Sequence, residues 1–316
     1  MQIKAYLTKA MLLSLYINMK KSIFKGVGTA LITPFYKGKV DYKSLEILIN
    51  KQLKASVSAI IVLGTTGEPC TLSAKEREMV IKKAIELCNG KCKVIVGCGA
   101  NSTNVAVKNY KQAQALGADG ALIVTPYYNK CTQEGLIAHY TKIANCGSLP
   151  IIAYNVPSRT GVNLLPSTML ELSKLENICG IKEASGNVAQ ALELFRLVGN
   201  KIEIYCGEDA LNNVFLMQGG SGTISVLSNI TPKLCVNIYN YILQKEYKKA
   251  NHIQLDLLPL INSLFCEVNP IPIKAALSCL GLCKNELRLP LTTISNSNFE
   301  ILKENINKVW AKYDCL

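Results

Sequence analysis

The sequence predicts an α/β fold, a (β/α)8 TIM barrel followed by a C-terminal helical appendage. Short runs rich in Val, Ile and Ala alternate with longer segments of helical period, and they recur about every 25 to 30 residues. The runs are apolar almost throughout, which is typical of parallel strands buried on both faces. A series of eight such units favours closure into a barrel. The predicted strands are residues 28–33, 59–63, 93–98, 120–124, 151–155, 178–182, 202–206 and 222–226.

An open, doubly wound sheet is the alternative arrangement of the same β-α units. Its usual fingerprint is G-x-G-x-x-G directly after a strand. Gly97 and Gly99 follow the third predicted strand, but Ser102 stands where the last glycine belongs. The barrel is therefore the favoured prediction.

The segments between the predicted strands carry residues that begin helices. Ser73 and Glu76 have the spacing of a capping box, in which each side chain bonds a free backbone amide of the first turn. Asp41 and Thr132 are suitable N-caps. Pro166 suits a first helical turn, because its missing N–H has no partner there anyway.

The alternation stops near residue 231, and only helical patterns follow. Helices are predicted at residues 234–243, 249–265, 271–280 and 298–313. We therefore assign the barrel to residues 22–245 and a helical C-terminal region to residues 246–316. Residues 1–21 are predicted to be an N-terminal extension outside the fold. Their short apolar run lacks the cleavage site that a signal peptide needs.

Composition narrows the possible partners and the compartment. The net charge is +13, but Lys and Arg are spread along the chain without a nucleic-acid motif, so no nucleic-acid partner is expected. The 13 cysteines are scattered, which fits buried free thiols in a reducing cytoplasm better than disulfides or a zinc site. No apolar run reaches the roughly 18 residues that a membrane span needs. His, Cys, Asp and Glu are not grouped at metal-ligand spacing.

Lys182 ends the sixth predicted strand, and catalysis in a TIM barrel gathers where strands pass into loops. A lysine at this place is either a solvated strand end or a nucleophile. A low-dielectric barrel mouth would disfavour the ammonium form and free an amine that attacks a ketone. The single residue leaves both interpretations open.

Other strand ends carry groups that suit the binding of an oxo acid. The second strand ends in Gly64-Thr65-Thr66-Gly67-Glu68, where amides and hydroxyls can bind a carboxylate, although a plain turn would have the same composition. Tyr154 ends the fifth strand and can relay a proton. Arg159 follows in a turn and can bind a carboxylate through two hydrogen bonds, unless it is a plain surface arginine.

Three further strand ends give weaker indications. Tyr127 and Tyr128 follow the fourth strand as interface aromatics or as phenols aimed at the site. Backbone carbonyls at Gly207 and Ile224, at the ends of the seventh and eighth strands, are candidates to face the same cavity. A Ser-His-Asp triad is unsupported, because both histidines fall in predicted helices.

Taken together, these motifs resemble the 4-hydroxy-tetrahydrodipicolinate synthase (dihydrodipicolinate synthase) family of the class I pyruvate aldolases. The motifs are residues 64–68 (GTTGE), 127–129 (YYN), 154–161 (YNVPSRTG) and 180–187 (GIKEASGN). The likeness runs from about Phe24 to the C-terminus. It implies condensation of pyruvate with L-aspartate 4-semialdehyde, in lysine and diaminopimelate biosynthesis.

The resemblance also implies roles for the residues that catalyse the reaction. Lys182 would form the Schiff base with pyruvate, so that no further cofactor is needed. Tyr154 would assist imine formation. Thr66, Tyr154 and Tyr128 would form a proton relay, with Tyr128 reaching into a neighbouring subunit's site. The implied assembly is a cytoplasmic homotetramer, built as a dimer of dimers.

Substrate-binding residues follow from the same resemblance. Thr65 and Thr66 would hold the pyruvate carboxylate, and Arg159 would receive the carboxylate of the aldehyde. Gly207 and Ile224 would contribute backbone contacts near the lysine. N-acetylneuraminate lyase and 2-keto-3-deoxy sugar acid aldolases are the alternatives. Arg159 and the GTTGE motif favour the synthase over the lyase. A catalytically inactive barrel that senses an oxo acid is a further alternative.

Several positions depart from the family pattern. Cys131 replaces a usual proline, and Pro69 and Cys70 replace small residues near the barrel mouth. Arg77 and Val105 occupy positions where lysine-sensitive members tend to carry His and Glu. Because the carboxylate that would pair with a lysine ammonium is missing, weak or absent inhibition by lysine is expected.

Overall fold

Residues 20 and 22–313 are described by the structure, which is a computed structural model. Eight parallel strands close into a barrel, and the remaining two form a separate antiparallel pair. The predicted fold class is therefore confirmed. The strands are β1 (Gly26–Ala30), β2 (Phe35–Tyr36), β3 (Lys39–Val40), β4 (Ala59–Val62), β5 (Lys93–Gly97), β6 (Gly120–Val124), β7 (Ile151–Asn155), β8 (Ile178–Glu183), β9 (Glu203–Cys206) and β10 (Gly222–Ser225). The order around the barrel is β1-β10-β9-β8-β7-β6-β5-β4.

The predicted strands fall close to the observed ones, and β1 differs most. β1 begins at Gly26, two residues before its predicted start, because its ladder with β10 begins at the pair Gly26–Gly222. The two backbones approach so closely that a Cβ on Gly222 would lie 2.0 Å from the Gly26 carbonyl oxygen. β1 ends at Ala30, and the Ile32 amide instead donates to the Asn229 side chain (3.2 Å).

The helices surround the barrel and then continue past it. The predicted caps are confirmed: the side chains of Asp41, Ser73 and Thr132 accept from first-turn amides, and Ser73 and Glu76 complete the capping box. Pro166 is a first-turn residue. The helices are α1 (Tyr42–Lys54), α2 (Ala74–Cys88), α3 (Thr103–Ala115), α4 (Gln133–Ala144), α5 (Pro157–Thr160), α6 (Pro166–Leu172), α7 (Val188–Val198), α8 (Asn212–Met217), α9 (Pro232–Leu243), α10 (Tyr247–Leu264), α11 (Ile271–Cys279) and α12 (Asn296–Tyr313).

The barrel strands are buried on both faces, which explains their continuous apolar sequence. Alternate residues such as Ile61, Ile95 and Ile152 belong to one cluster with the stacked rings of Phe24 and Tyr205, whose centroids are 4.4 Å apart. The residues between them, such as Ile60 and Val94, belong to a larger cluster shared with the helices. No helix among the described residues is both long and apolar enough to cross a membrane.

The C-terminal helices are tied to the turn after β4 by buried charges. Lys274 of α11 is completely buried and pairs with the Glu68 carboxylate. Its ammonium also donates to the Glu286 carbonyl (2.9 Å) and lies 3.8 Å from the centre of the Phe35 ring. The Arg288 amide donates to Glu68 as well (3.2 Å). The predicted division at residues 245 and 246 falls between α9 and α10, and its status as a domain boundary stays a prediction.

The amino end of the described chain lies against the bottom of the barrel. The Lys20 ammonium donates to the carbonyls of Leu175 and Ile178, and the latter begins β8. The predicted extension, apart from Lys20, lies outside the described residues. The twelve cysteines within them are free, and most are buried, as predicted.

Candidate active site

Lys182 lies at the mouth of the barrel, at the carboxyl end of β8. It is paired with Tyr154 in the β7–β8 ladder, and its ammonium nitrogen is 4.3 Å from the centre of the Tyr154 ring. Lys182 is only 5% exposed, and Tyr154 is 6% exposed. The alternative of a solvated strand end is therefore wrong, because the amine is held inside the mouth.

Gly207 makes room for the Lys182 side chain. A Cβ on Gly207 would lie 2.7 Å from Cε and 2.9 Å from Cγ of Lys182, and 2.8 Å from the Ala184 Cβ. Such distances are too short for non-bonded carbon atoms. The chain after β9 can therefore pass beside the lysine only because residue 207 has no side chain.

The turn after β4 presents its hydroxyls to the same mouth. Thr65, Thr66 and Gly67 form a short 3-10 helix, and Glu68 ends it with a φ of 49°. The Gly67 carbonyl accepts from the Thr33 hydroxyl (2.7 Å), and the Glu68 amide donates to the Thr65 carbonyl (3.1 Å). Thr66 is 3% exposed, so the turn places one hydroxyl within the protein interior at the site.

Arg159 lies in α5, a single turn that follows β7. Pro157 begins the turn, and Gly161 ends it in the left-handed region, at a φ of 69°. The Arg159 guanidinium donates to the Asn269 carbonyl (3.0 Å). This bond holds the side chain toward the mouth and leaves its other N–H donors for a ligand.

Asn269 joins Arg159 to Thr66, and it was not among the residues predicted for the site. Its side-chain amide donates to the Thr66 hydroxyl (3.0 Å), while its carbonyl accepts from Arg159. Asn269 lies in the segment between α10 and α11, far from both residues in the chain. The C-terminal region therefore completes the site physically.

A cavity of about 690 Å³, which we call the mouth cavity, brings most of the predicted site residues together. Its polar walls come from the ends of four strands, β4, β7, β8 and β9, and from the C-terminal region, whereas a neighbouring cavity of about 300 Å³ shares some of these residues and is more apolar. The mouth cavity includes Thr65, Thr66, Tyr154, Ser158, Arg159, Lys182, Gly207, Glu208, Glu267 and Asn269 among its lining residues.

Tyr128 and Ile224 do not line the mouth cavity. Tyr128 is 89% exposed and has a φ of 74°, so its ring projects from the surface of this single chain. Ile224 is buried within β10, where it pairs with Gly28 of β1. A role for Tyr128 thus depends on a second copy of the chain, and a role for Ile224 depends on its backbone.

The mouth cavity contains an acidic side chain, Glu208, as well as the Lys182 amine. Burial raises the pKa of the Glu208 carboxyl, Asp209 raises it further, and Lys182 opposes this shift. Glu208 is not among the predicted site residues, although it lies two residues after the end of β9. Within residues 20 and 22–313, His, Cys, Asp and Glu nowhere form a group of three that could hold a metal ion.

The fold and the mouth cavity define a class of protein: a TIM-barrel enzyme whose site is centred on a buried lysine, with hydroxyls and a guanidinium beside it. The model of the dihydrodipicolinate synthetase family matches residues 23–309. The chain belongs to this family, as its motifs indicated.

Similar proteins agree over most of the chain. A 4-hydroxy-tetrahydrodipicolinate synthase from Alkaliphilus oremlandii is 51% identical over 286 residues, which are 90% of this chain and 99% of that protein. The structure of a chloride-inhibited dihydrodipicolinate synthase from Acinetobacter baumannii, in complex with pyruvate, is 42% identical, with a TM-score of 0.89. It covers 90% of this chain and 98% of its own. A monomeric dihydrodipicolinate synthase variant is 44% identical, also with a TM-score of 0.89, and covers 90% of this chain and 97% of its own.

Proposed function

We propose that this chain condenses pyruvate with L-aspartate 4-semialdehyde to give 4-hydroxy-tetrahydrodipicolinate, in lysine and diaminopimelate biosynthesis. The observation that carries the proposal is that Lys182 and Arg159 line one cavity in a chain of this family. An amine that attacks a ketone and a guanidinium that binds a carboxylate are the two groups that these substrates require.

The reaction begins on pyruvate. The free amine of Lys182 attacks the ketone carbon, and loss of water gives an imine on Lys182, without another cofactor. The Tyr154 ring centre lies 4.3 Å from the Lys182 nitrogen, and in this proposal its hydroxyl passes protons during this step. Thr65 and Thr66 hold the pyruvate carboxylate through hydroxyl and amide donors. Loss of a proton from the methyl group then gives a nucleophilic enamine.

The second half of the reaction joins the two substrates. Arg159 holds the carboxylate of the semialdehyde while the enamine carbon attacks its aldehyde carbon. The aldehyde oxygen gains a proton and becomes a hydroxyl. The amino group of the same substrate releases its extra proton toward solvent, attacks the imine carbon as a free amine and displaces the Lys182 amine, which closes the ring and restores the enzyme. Gly207 and Ile224 contribute backbone contacts beside the lysine.

Protons travel between the site and solvent through Thr66, Tyr154 and Tyr128 in this proposal. The exposure of Tyr128 supports a role in another subunit's site. We therefore propose a cytoplasmic homotetramer arranged as a dimer of dimers. Because a similar structure is that of a monomeric variant, the assembly has to be measured directly on this chain, for example by analytical ultracentrifugation.

A direct assay tests the proposed activity. Purified protein is mixed with pyruvate and L-aspartate 4-semialdehyde, and ring formation is followed through a coupled reductase. N-acetylneuraminate and 2-keto-3-deoxy sugar acids are supplied in parallel as substrates for cleavage. Turnover of the first pair alone supports the synthase. Faster cleavage of a sugar acid would favour an aldolase, and binding of pyruvate without turnover of any substrate would favour a sensor.

Weak or absent inhibition by lysine remains part of the proposal. Arg77 donates to the carbonyls of Gly97 (3.3 Å) and Pro69 (3.5 Å), and Val105 supplies no charge. A cation in this place would repel the lysine ammonium. We expect the synthase rate to stay above half its uninhibited value in millimolar lysine. Half inhibition at sub-millimolar lysine would contradict this expectation.

A further inference from the structure

Glu208 lines the mouth cavity, and its carboxylate has no hydrogen-bond or ion-pair partner among the described residues. It is half-buried and stands at the N-cap of the 3-10 helix Asp209–Leu211, yet its side chain makes no capping hydrogen bond. No side-chain or backbone donor of the described residues lies within hydrogen-bond distance of its carboxylate oxygens. A half-buried carboxylate without a donor is costly, so this group is poised for a cationic ligand.

Glu267 lines the same cavity, but its carboxylate has a structural role because hydrogen bonds from the protein hold it. It accepts from the Ser295 amide (3.0 Å), the Ser295 hydroxyl (2.7 Å) and the Asn298 side chain (2.7 Å). These hydrogen bonds lower the pKa of Glu267. The Glu267 carboxylate is therefore stabilised by hydrogen bonds within the protein, whereas the Glu208 carboxylate is available to bind a ligand.

The order of strands places Glu208 opposite Arg159 across the lysine. β7, β8 and β9 are neighbours in the barrel, and they lead to Arg159, Lys182 and Glu208 respectively. The Gly207 amide donates to the Glu183 carbonyl (2.8 Å), which holds the end of β9 against the end of β8. A cation and an anion thus flank the amine within one cavity.

This pattern matches the charges of an amino acid that carries an aldehyde. The charge of Lys182 acts on Glu208 and opposes the effect of burial on the pKa of that carboxyl. Once the lysine nitrogen is part of the neutral enamine, it no longer attracts the Glu208 carboxylate. A substrate ammonium that enters next would restore a positive charge beside Glu208.

We propose that Glu208 receives the α-ammonium group of the aldehyde substrate, while Arg159 binds its carboxylate. Glu208 is then a specificity-determining residue that separates an α-amino aldehyde from the same aldehyde without its amine. The inference rests on the proposed function, because it concerns the second substrate of that reaction.

The test compares Glu208→Gln with the matched variant Glu267→Gln, using the full-length protein. The KM for L-aspartate 4-semialdehyde is measured at saturating pyruvate, and 4-oxobutanoate, which lacks only the amine, is titrated as a competitor. Loss of a charge-assisted hydrogen bond should raise that KM about tenfold or more in Glu208→Gln. The inhibition constant of 4-oxobutanoate and the KM for pyruvate should change less than about twofold, since neither ligand carries the ammonium.

The Glu208→Asp variant provides a check on charge. It keeps the carboxylate on a shorter side chain, so it should recover part of the lost affinity for the amino aldehyde. Glu267→Gln should leave the ratio of the two aldehyde constants unchanged. The inference is overturned if Glu208→Gln weakens the binding of both aldehydes equally, so that the ratio of the semialdehyde KM to the 4-oxobutanoate inhibition constant stays as in the parent protein. A parent protein without any condensation activity would instead overturn the proposed function.

Discussion

Lys182 and Lys274 are both buried, and each ammonium lies over an aromatic ring, but their surroundings differ. Lys274 pairs with the Glu68 carboxylate, donates to the Glu286 carbonyl and faces Phe35. Lys182 faces Tyr154 and a cavity, and no described carboxylate bonds to it. One lysine is saturated by the protein, and the other is left for a ligand.

The difference shows that burial alone does not identify a nucleophile. Burial lowers the pKa of Lys274, but Glu68 opposes that shift and favours the charged form. A charged amine inside a complete set of partners is held in place and cannot attack a ketone. The accessible space beside Lys182 is therefore as informative as its burial.

The largest expected effect is the loss of turnover when Lys182 is replaced by methionine, and the same replacement of Lys274 is the control. Lys182→Met should lower synthase turnover more than about a thousandfold, as removal of other covalent nucleophiles does. Borohydride with pyruvate should trap an adduct on the Lys182 peptide of the parent protein, and mass spectrometry should find none in the variant. The folded fraction of the Lys274→Met variant should still form the borohydride-trapped pyruvate adduct at Lys182. Trapping at another lysine would falsify the assigned nucleophile.

The second prediction concerns stability at the saturated lysine. Removing either partner leaves an unpaired buried charge, so Lys274→Met and Glu68→Gln should each lower the free energy of unfolding by about 3 to 5 kcal/mol. The double variant leaves no unpaired charge, so its loss of unfolding free energy should be clearly smaller than the sum of the losses in the two single variants. Urea unfolding of all four proteins measures this coupling, and strictly additive losses would contradict the pairing.

The third prediction uses His139, a buried side chain that pairs with no carboxylate in the described part of the chain. Nδ1 lies 2.9 Å from the Thr103 hydroxyl, and burial lowers the pKa of His139 to about 4. Because the unfolded imidazole titrates near 6.5, the unfolded state binds the extra proton between these values. Stability should therefore fall as the pH drops from about 6.5 toward 4, by up to about 3 kcal/mol.

The His139→Gln variant isolates this effect from other titrating groups. The parent minus variant difference in unfolding free energy should be flat above pH 7 and shrink as the pH falls through the window. Urea unfolding at several pH values measures the difference. A difference that does not depend on pH would mean that His139 is charged, or solvated, in the folded protein.

The barrel was predictable because its strands are buried on both faces and so are apolar along their whole length. The same rule located Thr65, Thr66, Tyr154, Arg159 and Lys182, since each stands at the end of such a strand. Glu208 satisfies the same rule, because it lies two residues after β9, yet only the backbone of its neighbour Gly207 was predicted to face the cavity. These residues needed only local sequence and the topology of a barrel.

Contacts between distant parts of the chain were beyond such reasoning. Asn269 contacts Thr66 across a sequence separation of 203, and Glu68 and Lys274 are similarly far apart in the chain. Nothing in the periodicity of either segment indicates its partner. Tyr128 poses a different problem, because its surroundings in an assembly belong to another copy of the chain.

The bridge that Asn269 forms has a consequence for protein synthesis. A ribosome that has finished β10 has made every barrel strand and every predicted catalytic side chain, but it has not yet made Asn269 or Lys274. Domains form from the amino end during synthesis. The nascent barrel therefore contains Lys182 before Asn269 can hold Thr66 and Arg159 in place. The active site is complete only after the C-terminal region has been synthesised. A premature stop codon near residue 260 would yield a chain with its nucleophile but without its completed site.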